Sequence, residues 1–125
     1  MKNEATFLLE QQQLQLLFQQ RQFEEAEVLA SLMLTSYNQF DYELLLKRAR
    51  IRQCLMRYEE ALLDANLALK MVPDCLDAYS LLSDCLIATS RFAEASKILN
   101  IMASNNPENA MLQRQYEMLS QSSKA

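Results

Sequence analysis

The sequence of 125 residues contains no glycine, no histidine and no tryptophan, and its only prolines are Pro73 and Pro107. Without glycine, the tight hairpin turns and bulges of a β-rich fold are hard to build, so the absence argues for helices. It also excludes the glycine-rich loops that cradle phosphates and the sharp turn that presents a nucleophilic serine. Without histidine the commonest general base is missing. The three cysteines, Cys54, Cys75 and Cys85, form no CxxC pair and have no histidine to complete a zinc shell. We therefore expect no metal, no cofactor and no catalytic residue. An odd set of free thiols suits a reducing compartment. The chain also lacks a long apolar run: its N-terminal stretch is interrupted by Glu4, Glu10 and several glutamines. Neither a signal peptide nor a membrane span of about 20 residues is expected, and the expected location is cytoplasmic.

What is present points the same way. Half the residues are hydrophobic and 22% are charged, a globular balance, and the length suits one domain over residues 1–125. Leu, Ala, Gln, Glu, Met, Lys and Arg dominate, and these residues lose least on entering a helix. Three segments repeat: "FEEAEVLASLML" from Phe23, "YEEALLDANLAL" from Tyr58 and "FAEASKILNIMA" from Phe92, at spacings of 35 and 34 residues. Alanine follows each aromatic by three positions, at Ala26, Ala61 and Ala95, and an arginine (Arg21, Arg57 or Arg91) shortly precedes it. Fifteen residues after the aromatics stand Asn38, Pro73 and Pro107. Alanine permits close approach of two helices, and proline ends one. Seven helices are predicted, at about 4–20, 24–37, 42–55, 59–71, 76–89, 93–104 and 108–121.

This period and these residues resemble the tetratricopeptide repeat, a helix–turn–helix unit. The resemblance implies an all-α, antiparallel helix-pair solenoid with a right-handed superhelical path. Its repeats would lie at about 7–41, 42–75 and 76–109, followed by a closing helix at about 108–121. Repeat one departs most, with Leu14 where a small residue is usual and Asn38 in place of the proline, so its first helix is expected to be displaced. In tetratricopeptide arrays the first helix of each unit lines a concave, partner-binding groove. By repeat phase that groove would comprise Gln11, Gln12, Gln15, Phe18 and Gln19, then Leu46, Lys47, Arg50, Gln53 and Cys54, then Asp77, Ser80, Leu81, Asp84 and Ile87.

The cations between Lys47 and Arg57 divide by helical azimuth at about 100° per residue. Lys47 and Arg50 point to the groove side, whereas Arg48 and Arg52 lie on the flank and Arg57 in the turn. The last three are expected to meet acids such as Glu43, Glu59 or Asp64. A net charge of −4, with no aromatic interleaved among the cations, argues against nucleic acid as a partner.

The expected partner is a protein, held as a helix or an extended peptide. "LLLKRARI" looks like the "NRA" segment of co-chaperone domains that clamp acidic heat-shock-protein C-termini. However, Lys47 replaces the asparagine, Gln11 and Gln15 stand where the clamp has Lys and Asn, and Asp77 and Leu81 replace its Lys and Arg. The small size, acidity and "FEEAEVLASLM" are similar to the tetratricopeptide chaperones of bacterial type III secretion, which implies a hydrophobic helix as guest. A scaffold subunit of a larger assembly is a further expectation. The first helix carries Phe7, Leu8, Leu9, Leu14, Leu16, Leu17 and Phe18, more apolar surface than one neighbour covers, and leaves room for a homo- or hetero-oligomer.

Overall fold

The computed structural model describes residues 3–124, with side chains through residue 119. Seven helices follow one another: α1 (Glu4–Gln19), α2 (Phe23–Ser36), α3 (Tyr42–Cys54), α4 (Tyr58–Met71), α5 (Leu76–Ala88), α6 (Phe92–Asn105) and α7 (Ala110–Lys124). Six of them lie within two residues of the predicted limits at both ends, while α7 starts two residues later and runs three residues further. Side-chain caps start three of them. Asn3 accepts from the Thr6 N–H, Asp41 from those of Glu43 and Leu44, and Asn109 from those of Met111 and Leu112. Helices α2, α4 and α6 have no such cap; instead Glu24, Glu25, Glu59, Glu60 and Glu94 complement the helix dipole in the first turn.

Within each helix pair the same turn recurs. Arg21, Met56 and Ser90 take left-handed φ values of 62°, 61° and 60°. The following N–H groups, of Gln22, Arg57 and Arg91, each reach back five residues at 2.8 Å, to the carbonyls of Leu17, Arg52 and Leu86. The left-handed residues themselves donate to Phe18, Gln53 and Ile87, 3.0 Å in every case. These paired bonds make three Schellman turns, a structure that usually recruits glycine. Arg21 is thus not equivalent to Arg57 and Arg91: it holds the left-handed position, and they precede the aromatic directly.

Between pairs, a four-residue turn is closed by Asp41 N–H on Asn38, Cys75 N–H on Val72 and Asn109 N–H on Asn106. Pro73 and Pro107 occupy its second position, and Gln39 does so in the first turn. The sequence expectation that Asn38 replaces the proline is corrected: Asn38 aligns with Val72 and Asn106. One extra residue in this connection accounts for the spacing of 35. The Asn38 side chain accepts from Phe40 N–H at 3.0 Å and supplies the bend locally.

Helices pack in sequence, each on its neighbour, and α3 also packs on α5. Ala26, Ala61 and Ala95 are buried where helices approach most closely, as are Ala49, Ala65 and Ala68. Leu14, larger than its counterparts Ala49 and Ser83, is buried too, and α1 packs less closely on α2 than α3 does on α4. A main core runs from α1 to α6, and a smaller one of Leu99, Met102, Ala103 and Leu112 lies under α7.

An ion network ties the second pair to the first. Arg48 meets Asp64 in a two-pronged contact at 2.9 and 2.7 Å and donates to the Ser31 hydroxyl at 3.2 Å. Arg52 shares Asp64 at 2.9 Å and meets Glu27 at 3.0 Å, and Glu27 also pairs with Arg57. For Arg48 and Arg52 the expectation is met at Asp64, whereas Arg57 meets Glu27. Glu43 is not one of the acids that they meet; Glu27 and Glu60 are. Glu59 pairs with Arg91 instead, at 3.0 Å, joining the second and third turns.

Candidate binding groove

Helix α3 approaches α5, the first helix of the next pair, with no comparable contact between α2 and α4 or between α4 and α6. The stack therefore curves, with α1, α3 and α5 on its inner side. A cleft of about 250 Å³ opens there between α1 and α3, lined by Leu14, Gln15, Phe18, Lys47, Arg50 and Ile51. Four predicted groove residues, Gln15, Phe18, Lys47 and Arg50, thus meet at one place. Phe18 is held by an edge contact with Phe23, ring centres 5.5 Å apart. The cleft has an apolar floor and a rim carrying two cations and an amide.

Further along, Arg50 and Gln53 lie near Asp84 across the α3–α5 contact. Desolvation in the groove pushes the Asp84 carboxyl above its ordinary value, and Arg50 and Gln53 hold that rise back. Asp84 and Ile87 line a second hollow of about 220 Å³ with Ser83, Leu99, Gln115, Met118 and Leu119. Burial, with the negative charges of Asp84 and Glu59, pushes the nearby Cys85 thiol up to about 11, so it is inert at neutral pH.

The remaining predicted positions are dispersed. Gln19, Cys54 and Asp77 are exposed, and Gln11 and Ser80 are half-buried, outside both hollows. Leu46 and Leu81 are corrections: both are buried in the core and line neither hollow. Both point into the helix pair, one residue step from the groove positions. Leu14 and Ile51, which form the cleft floor, were not among the predicted site residues. Leu14 had a signal, being a large residue at a small position of a helix that borders the groove. The contribution of α7 through Gln115, Met118 and Leu119 had none, because α7 stands outside the repeat.

Taken together, a curved stack of antiparallel helix pairs with a lined inner groove defines a helical-repeat solenoid. The tetratricopeptide-repeat family model matches residues 56–116, from the turn before α4 into α7. That segment belongs to the tetratricopeptide-repeat family, and the described residues have the family's fold throughout, as three helix pairs and a closing helix.

Solved structures share the whole fold. The first tetratricopeptide domain of Spaghetti (RPAP3), bound to the HSP90 peptide SRMEEVD, is 20% identical with a TM-score of 0.84. That match covers 98% of this chain and 97% of that one. The type III secretion translocator chaperone SycD of Yersinia enterocolitica is 16% identical with a TM-score of 0.84, covering 100% and 90%. The TPR2B domain of yeast Sti1, in complex with pHsp70, is 21% identical with a TM-score of 0.78, covering 93% and 97%. No curated protein matches the sequence.

Proposed function

We propose that this protein is a non-enzymatic binding module that holds a helical segment of another protein in its inner groove, as a small chaperone does. The observation that carries this reading is the α1–α3 cleft, whose apolar floor of Leu14, Phe18 and Ile51 suits an aliphatic or aromatic side chain. A second apolar hollow at Ile87 and Met118 gives a long guest a second anchor. The fold shared with SycD, described as a secretion translocator chaperone, favours a secreted subunit as the guest.

A second reading has its own support. Lys47 and Arg50 stand together on the cleft rim, and two proteins of the same fold are bound to heat-shock-protein peptides. In that case an acidic C-terminal peptide would be the ligand. Arg50 already lies near Asp84, which reduces the positive charge available to such a peptide, so we place this reading second.

The deciding experiment isolates the chain from its native cell, identifies the bound segment, and titrates that segment and the peptide SRMEEVD separately. For a helix holder, Phe18→Asp and Ile87→Asp weaken segment binding at least tenfold, and affinity survives high salt. For an acid clamp, SRMEEVD binds, and Lys47→Ala or high salt abolishes it. Leu81→Asp is unsuitable because it would unfold the core. Binding by neither ligand, or binding unmoved by all of these changes, rejects the groove.

A further inference from the structure

Helix α1 carries a face whose counterparts on the later helices α3, α5 and α7 are covered. The repeat spacing aligns Leu9 with Leu44, Ala78 and Leu112, and Leu16 with Ile51, Cys85 and Leu119. Leu44, Ala78, Ile51, Cys85 and Leu112 are buried, and Leu119 is half-buried. In α7 the cover comes from the preceding pair, since Leu112 sits in one cluster with Leu99, Met102 and Ala103 of α6. These register positions therefore face backwards along the stack. In α1 the same register is uncovered: Leu9 and Leu16 are 66% and 50% exposed.

The opposite end is closed differently. On α7, Glu117 stands at the register of the buried Leu14, Ala49 and Ser83 and is exposed, so the last helix presents a charge where the earlier ones are packed over. Head-to-tail stacking of copies is accordingly disfavoured, because the apolar face of α1 would meet a polar one.

We propose that the α1 face is covered by the same face of a second copy, the two α1 helices running antiparallel about a two-fold axis between Gln12 and Gln13. Such a contact is self-complementary. Leu9 then lies on Leu16 of the second copy, and the glutamines meet at the axis, amide to amide. At about 100° per residue, Leu9, Leu16, Ala5, Gln12, Gln13 and Gln20 share one stripe, and none is charged. In a chain of net charge −4 this is a surface where two copies approach without like-charge repulsion. A single helix pair is small beside the roughly 1,200 Å² of a stable interface, so the association should be reversible and concentration-dependent.

Sedimentation equilibrium across a wide concentration range tests this without any ligand, so its outcome is independent of the groove. Wild-type protein is expected to pass from monomer to dimer. Leu9→Lys or Leu16→Glu alone should raise the dissociation constant at least tenfold, with helicity by circular dichroism unchanged. The double variant Leu9→Lys/Leu16→Glu should restore the dimer, because the introduced cation faces the introduced anion across an antiparallel pair. A wild-type monomer at every concentration, a dimer indifferent to the single changes, or a double variant that stays monomeric overturns the proposal.

Discussion

Arg21, Met56 and Ser90 hold a backbone conformation that costs an L-residue about 1–2 kcal/mol and a glycine nothing. The chain has no glycine, so each of its three Schellman turns absorbs that strain. The Met56 side chain is exposed and contributes little packing in return. Met56→Gly is therefore expected to stabilise the fold by about 0.5–1 kcal/mol, after allowing for the larger entropy of glycine in the unfolded chain. A urea titration checks this, and a lower midpoint would mean that the methionine side chain makes a contact worth more than the strain. The need for a helix-ending turn was legible from the break in periodicity before each aromatic. The left-handed residue was not, because in a chain without glycine nothing in the residue type marks it. The buried alanines were legible for the opposite reason, since at a close helix crossing only one size of side chain fits.

At the scale of the helix, the Arg48–Asp64–Arg52–Glu27–Arg57 network fixes α2, α3 and α4 to one another across a repeat boundary. Each member is an uncompensated charge if its partner is removed, a loss of about 3–5 kcal/mol for a buried pair and less near the surface. Burial pushes the Glu27 carboxyl up, but hydrogen bonds and charge from Arg57 and Arg52 outweigh it and hold the group below its ordinary 4.5. A lowered folded value means that its contribution is fully present above pH 4.5 and is lost as pH falls through the folded value. Glu27→Gln should lower the melting temperature at pH 7, by an amount corresponding to about 1–3 kcal/mol, and flatten the acid limb below pH 4.5. Melts from pH 7 to pH 3 with an unchanged acid limb would show the pair to be ornamental. The cations' flank placement followed from helical azimuth in the sequence. Their choice of Glu27 did not, because it lies on another helix, and its distance from Arg57 depends on how the pairs stack.

On the scale of the whole molecule, stability is shared between neighbouring pairs, and each end must be finished separately. Helix α7 covers Leu99, Met102 and Ala103, and it also walls the second hollow of the groove. Deleting residues from 107 onward should cost roughly 2–4 kcal/mol, from the apolar area uncovered less the entropy regained by the freed chain. Increased binding of an apolar fluorescent dye should accompany a lower urea midpoint; a chain equally stable without α7 would contradict the packing described above. No helix among the described residues is long and apolar enough to cross a membrane.

The seven helices, their near-34-residue period and the alanine crossings were determined by the sequence itself, because capping, propensity and periodicity act within one helix or between adjacent ones. Only the tertiary structure decided that Leu46 and Leu81 face inward while Lys47 and Arg50 face the groove. A helix fixes the angles between its own residues, but its rotation about its axis is set by the helices packed against it. The same cause leaves Leu9 and Leu16 exposed on α1 at a register that α3 and α5 bury.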